Sequence, residues 1–308
     1  MSPGKEGIAV TTSTNRPVGK GDTSVEDTHA GPGHASTGPR GGSKRFRKLI
    51  YPLVLPVVIV SVWQYVGANN MLADGLFPSA TDSGAALYEW IFGPSGESFF
   101  SGTWPSALLA STSRVVGGFL LGAFLAVVLG LLGGVSWTVR RLVDPMVNAI
   151  RPISVTAWVP LALIIFGIGY KPAIFLTALA TFFPVYVNTL SGARYSEGQL
   201  MNAATMLGAS RRQALMRVTL PATLPTIAVS LRVAAAISWT TVVVAEMLGA
   251  RSGLGYTLIL AYSQFRFDYV VAAMISIGAC GYITDKLLEH GVERRIRWNV
   301  GRATAENR

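Results

Sequence analysis

Six residues in or beside long apolar runs have side chains, or backbones, that need a chemical reason: Arg114, Arg232, Trp239, Glu246, Gly253 and Gly255. A charge inside an apolar helix costs roughly 3 kcal/mol on insertion scales, so it must snorkel out, find a partner or line a wet path. Arg114, close to one end of its run, is placed to snorkel to an interface. Arg232 lies about ten residues into its run, roughly 15 Å along a helix, a depth that asks for a counter-charge or an anion in transit. Trp239, seven residues on, shares that helix face to within about 20°. It either packs in a core or joins Arg232 in meeting an anionic or flat organic solute. Glu246 closes the same run, where it can pair with an arginine or cap the next turn. That turn, Ser252-Gly253-Leu254-Gly255-Tyr256, owes its tightness to the two glycines.

Catalysis finds no footing. The chain has no G-x-x-x-x-G-K-[ST] phosphate loop, so this signature gives it no means to hydrolyse ATP. His29 and His34 fall in a Gly/Pro-rich leader and His290 near the other end, and no pair has metal-ligand spacing on one helix face. Cys280 is the single cysteine, which rules out an intrachain disulfide framework or a cysteine metal cluster; in apolar surroundings it reads as a packed thiol. No serine, cysteine or lysine stands near a base that would activate it. The expectation is a non-enzyme with no cofactor and no metal.

The elements that must position these residues are membrane spans. Of 308 residues, 50% are hydrophobic and only 14% charged, and the mean hydropathy is +0.43. That is too apolar for an ordinary soluble domain. Residues 1–43, with 13 Gly or Pro and no apolar periodicity, predict a disordered cytosolic leader rather than a secretory signal. Apolar runs then follow at Leu49–Val66, Leu108–Val135, Ile153–Ile168, Ala173–Leu190, Thr223–Leu248 and Tyr269–Leu288. The reading is an all-α membrane protein of six transmembrane helices over residues 44–300, with a short tail at 301–308. Gly117, Gly118, Gly122, Gly130 and Ala234 to Ala236 are small residues that let such helices approach closely.

Charge sets the orientation. With both termini inside, 21 of the 26 Lys and Arg fall on the inner side, counting Lys286 at the inner end of the last run, 3 (Lys171, Arg251, Arg266) outside and 2 (Arg114, Arg232) deeper within spans. Shifting by one span would invert that bias, so both termini are expected in the cytoplasm. The net charge of +10 is thereby explained by an anionic inner leaflet, with no nucleic acid partner. Residues 69–104 carry Asp74, Asp82, Glu89 and Glu97 without a Lys or Arg, as an outer loop would.

One polar stretch interrupts the apolar runs. Asn202 to Pro221, NAATMLGASRRQALMRVTLP, carries Arg211, Arg212, Gln213 and Arg217 and so belongs outside the bilayer on the charged face. Gly208 should divide it into two short helical pieces, and Pro221 should end it. Asn202-Ala203-Ala204, Gly208 four residues on, Val218 and then Leu220-Pro221 resemble the EAA signature of the membrane permease subunits of ABC importers. Asn202 stands where Glu is usual and Val218 where Ile is usual. The flanking Leu231–Tyr256 resembles the branch serving aliphatic sulfonates, taurine and nitrate.

The resemblance implies a type I ABC importer permease fold in which residues 195–221 form coupling helices. Asn202, Ala203, Ala204, Gly208, Leu220 and Pro221 would seat against an ABC ATPase subunit pair. It also implies a second permease copy in a homodimer, an extracytoplasmic substrate-binding protein docking near Gly253 and Gly255, and a small organic or inorganic anion as cargo across the cytoplasmic (inner) membrane. Two other readings stay open. In a stand-alone secondary transporter or channel, 202–221 is an ordinary cytosolic loop; the scarcity of acidic residues at membrane depth, with only Glu246 near a span's core, counts against ion coupling. A membrane-anchored scaffold is the third.

Overall fold

A computed structural model of the chain describes residues 42–69, 71, 76–94, 96 and 98–295. The leader expected over 1–43 lies outside the described residues except for its last two, which open α1, and the tail 301–308 lies wholly outside them. Of the described residues, those from Gly42 to Pro52 belong to one unit and those from Leu53 to Arg295 to a second that contains the helix bundle.

Regular structure among the described residues is entirely helical: α1 (Gly42–Ala68), α2 (Ala80–Phe92), α3 (Trp104–Val135), α4 (Trp137–Ile150), α5 (Val159–Phe166), α6 (Tyr170–Met206), α7 (Arg211–Ala214), α8 (Leu220–Gly249), α9 (Leu254–Ser263) and α10 (Phe267–Arg295). A 3-10 turn, Val155–Trp158, leads into α5, and a π-helical turn, Leu215–Thr219, joins α7 to α8. Four stretches are long and apolar enough to cross a bilayer: Trp104–Val135, Tyr170–Arg194, Met216–Gly249 and Phe267–Gly291. A fifth exists if Trp137–Ile150 and Val155–Phe166, bent by 90°, count as one. The apolar part of α1, Val54–Ala68, is shorter.

The run Ile153–Ile168, expected as a single span, is therefore corrected to a 3-10 turn and an eight-residue helix, about 12 Å long, which cannot cross alone. Its prolines give the reason. Pro152 falls in the break after α4, where it cannot donate to a helical ladder, and Pro160 sits in the first turn of α5, where no donor is needed. The segment 69–104, expected as an outer loop, is not all loop. Ser79 accepts from the Asp82 backbone amide while the Asp82 carboxylate accepts from that of Ser79, a capping box that starts α2.

Helix α3 lies along α6, and α6 along α8. The α3–α6 approach is set by glycine: a Cβ at Gly118 would fall 2.5 Å from the Thr177 Cβ, one at Gly130 2.8 Å from the Thr189 Cβ, and one at Gly122 would collide with the Ala178 carbonyl. These backbones are as near as they can be only because those side chains are missing. Gly117, next door, faces Ile174 at ordinary contact distance and is not part of this seam. Trp90, Phe100, Trp239, Leu254 and Tyr269 form a core that ties α2, α8, α9 and α10 together at one end. Val147, Tyr186 and Leu190 anchor a second core between α3, α4 and α6. Leu109, Phe124, Val229 and Leu287 are among the large apolar side chains left exposed, as lipid or a partner helix requires.

Candidate functional site

At one end of the bundle, α6 runs past the bilayer length to Met206 and carries Asn202, Ala203 and Ala204 in its last turns. The first piece of the expected helix-turn-helix is thus the end of a 37-residue helix rather than a short one. Gly208, at φ +78°, takes the left-handed conformation that terminates α6, and the Ala209 amide donates back to the Ala204 carbonyl at 3.0 Å. This is a Schellman closure, and it favours glycine through backbone angle alone, since nothing crowds the position. Ser210 then accepts from the Gln213 amide while the Gln213 side chain accepts from the Ser210 amide, a second capping box that starts α7. From Arg211 the helical course continues through the π turn into α8 without a break. Leu220 and Pro221 consequently open α8, directly after the π-helical turn, instead of ending the stretch. Ala204 and Ala214 are buried between the two arms, whereas Met206 and Leu207 at the tip are 89% and 88% exposed.

At the opposite end of α8 a buried polar cluster holds the Gly253 turn. Glu246, fully buried, accepts from Arg114 Nη1 at 2.5 Å, from the Ser111 hydroxyl and from the Gly255 amide at 3.0 Å. Arg114 also donates to the Ser252 carbonyl at 2.6 Å and to the Ser252 hydroxyl at 2.9 Å, and its guanidinium lies over the Tyr170 ring. The Ser111 hydroxyl accepts from the Leu254 amide, so α9 begins on donors already satisfied. Gly253, at φ +115°, packs its α-carbon against the Glu246 carboxylate, where any Cβ would collide. Gly255 faces the Val243 carbonyl in the same way, with ordinary backbone angles. Glu246 both pairs with an arginine and caps the turn. Arg114 does not snorkel: it is 4% exposed and its charge is neutralised inside the protein.

Between these ends, α8 is zipped to α10. Arg232 donates from Nε and Nη2 to the two carboxylate oxygens of Asp285, each at 3.1 Å, and reaches Glu289 at 3.5 Å. Further along α8, the Trp239 indole donates to the Thr284 hydroxyl at 3.0 Å and is buried. Trp239 is therefore a core residue, while the Arg232 side chain stays 34% exposed and that of Asp285 39%. The Arg232–Asp285 pair is thus not sealed in the core as Arg114 and Glu246 are. Asp285 and Glu289 add acidic residues in the last turns of the candidate span Phe267–Gly291, beside the expected Glu246.

Sequence reasoning missed Ser111, Ser252, Thr284 and Asp285. Ser111 had a signal, being three residues before Arg114 on the same helix face. The pairings of α8 with α10 and α3 are tertiary and left none.

Comparisons with known proteins bear on the family and the fold. The family model described as binding-protein-dependent transport system inner membrane component matches residues 118–298. A putative ABC transporter permease protein of Methanocaldococcus jannaschii is 36% identical over 82% of this chain and 93% of its own. The putative aliphatic sulfonates transport permease protein SsuC of Bacillus subtilis is 33% identical over 80% of this chain and 86% of its own. Among solved structures, a chain of the MetNI methionine ABC transporter in inward-facing conformations has a similar fold, with a TM-score of 0.52 at 19% identity, over 63% of this chain and 94% of that one.

Proposed function

The chain belongs to the family of binding-protein-dependent transport system inner membrane components, and from that premise we propose that it moves a small organic anion inward as half of a homodimer. It is the transport subunit of an ABC permease of the inner membrane; ATP hydrolysis lies on separate subunits. In this reading residues 44–300 form six spans, with α1 as the first and the bent pair Trp137–Phe166 as the third. Both termini, including the leader 1–43 and the tail 301–308, lie in the cytoplasm, which the 21 inner-side Lys and Arg support.

The observation that carries the mechanism is the unbroken helical course from Arg211 to Gly249. The 30 residues of α8 extend roughly 45 Å, against a hydrocarbon core of about 30 Å, and with α7 and the π turn before it one continuous helical course, bearing Pro221 and Pro225, reaches from the Gly208 turn to the Glu246 cluster. Residues 195–221, with Asn202, Ala203, Ala204, Gly208, Leu220 and Pro221, act as the coupling element in the groove of an ABC ATPase. Met206 and Leu207, exposed at its tip, supply the apolar contact. Movement there is delivered as displacement of α8, which repacks helices at both ends rather than melting a loop. Arg232, Trp239 and Asp285 ride on the moving seam, and Glu246, Gly253 and Gly255 hold the outer turn on which a substrate-binding protein docks. The kinship to a sulfonate permease supports an anionic cargo.

Proteoliposomes containing the permease, its ATPase and its binding protein provide the test. Uptake of an alkanesulfonate should need all three and ATP. Full-rate uptake by the permease alone would overturn the reading in favour of a secondary transporter.

A further inference from the structure

Where α8 hands over to α9, a hollow of about 330 Å³ opens between the loop before α3, the first turns of α3 and one face of α9. That volume is at the small end of the range for small-molecule sites, about 300–1,000 Å³. Phe99, Phe100 and Leu260 give it an apolar wall; Arg251, Ser252 and Tyr256 give it a polar one. No Asp or Glu lines it. The carboxylate behind its Gly253 wall, Glu246, is already neutralised by Arg114. Arg251 itself is exposed and forms no ion pair among the described residues, in contrast to Arg266 nearby in sequence, which is held by Asp268 at 2.9 Å. The Ser252 hydroxyl accepts from Arg114 and so keeps its own proton free to donate.

We infer that this hollow receives a small organic anion, with its sulfonate or carboxylate head on Arg251 and Ser252 and its alkyl or aryl body against Phe99, Phe100 and Leu260. An uncompensated guanidinium beside aromatic carbon suits an amphiphilic anion and not a bare inorganic one, since sulfate would leave the apolar wall unfilled. The hollow abuts the turn braced by Glu246, so an occupant touches Ser252 and Gly253, the residues joining α8 to α9. The role in solute transfer rests on the transport reading above; the binding itself does not.

The purified permease in nanodiscs, with no ATPase or binding protein, is titrated with butanesulfonate and separately with sulfate, and binding is followed by saturation-transfer NMR against empty nanodiscs. Saturable binding of butanesulfonate, weaker for sulfate, is expected. Arg251→Gln should weaken butanesulfonate by about tenfold or more, as loss of a charged hydrogen-bond donor does. Arg251→Lys should retain part of the affinity, and Arg266→Gln should leave it unchanged. Equal affinity in wild type and Arg251→Gln, or no saturable signal above empty nanodiscs, overturns the proposal. So does an Arg251→Gln variant that binds butanesulfonate normally but docks the binding protein poorly, because the arginine is then a protein contact. Failure of ATP-driven uptake with butanesulfonate binding intact removes the transport reading and leaves the site standing.

Discussion

Arg114 and Glu246, 132 residues apart in the chain, form an ion pair with both side chains shut away from solvent, and the turn between α8 and α9 is built on it. A pair so buried gives little net stability over an apolar substitute, but it is costly to break. Glu246→Ala leaves the Arg114 charge without a counter-charge, and Ser111 and the Gly255 amide without an acceptor. It should destabilise the protein by roughly 3–5 kcal/mol. The double change Arg114→Met with Glu246→Leu should recover most of that loss. Thermal unfolding in detergent checks both, and a double variant as unstable as Glu246→Ala would contradict the account.

Two glycines at positive φ separate backbone need from packing need. Gly208 has open space around its α-carbon, so Asn, which tolerates the left-handed region, should support assembly and uptake there, whereas Val should not. Gly253 combines φ +115° with the Glu246 carboxylate in the place of a Cβ, so even Ala should cost roughly 1–3 kcal/mol in strain before any collision is counted. Comparing ATPase binding for the Gly208 variants with unfolding midpoints for Gly253→Ala tests this division. If Gly208→Val binds and couples the ATPase as well as wild type, the turn is not the lever's fulcrum.

The α8–α10 seam makes a third prediction. Asp285→Asn removes half of a bidentate contact to Arg232, while Glu289 still reaches the same guanidinium at 3.5 Å. With side chains about a third exposed, the pair is screened by solvent and the stability change should be small. Transport should suffer more than stability, because the pair registers α8 against α10 during displacement. Exchanging the charges, Arg232→Asp with Asp285→Arg, should restore uptake above that of either single change. Uptake rates and unfolding midpoints measured on the same preparations distinguish a registering pair from one that only holds the fold.

How far these sites were legible in the sequence depends on the range of the forces involved. The Gly208 turn and the apolar runs are local: periodicity, one glycine and a proline carry them, although Pro221 misleads because a proline that stops one helix and a proline that starts another look alike. The capping boxes at Ser79 and Ser210 were also local and readable from a serine followed three residues later by Asp or Gln. The run 153–168 misleads because apolarity reports burial or lipid contact, not straightness, and the break at Pro152 outweighs it. Glu246 and Arg232 advertised a need for partners by their depth. Which partners they take, Arg114 and Asp285, depends on α3 and α10 packing beside α8, and that information lies in the assembled bundle.

Outside the spans, Glu89 on α2 supplies a pH dependence whose sign is fixed. Its carboxylate accepts from the hydroxyls of Ser101 at 2.7 Å and Ser98 at 2.8 Å, and these bonds, Ser101 first, hold its pKa below the ordinary carboxylate value. A carboxylate whose folded pKa is depressed releases its proton more readily folded than unfolded. The stability it contributes is therefore complete above the unfolded value, near 4.5, and drains away as the pH falls through the folded value beneath it. Glu89→Gln keeps the shape and removes the titration. The gap in unfolding midpoint between wild type and Glu89→Gln should be constant from pH 7 down to about pH 5.5 and close steadily below that. Because Ser98 and Ser101 lie in the loop that walls the hollow beside α9, the protection of residues 98–103 against hydrogen exchange, relative to the intrinsic rate at each pH, should fall over the same acidic range in wild type alone. A gap that widens on acidification would mean that the protonated form is the better bonded one, and would contradict the assignment.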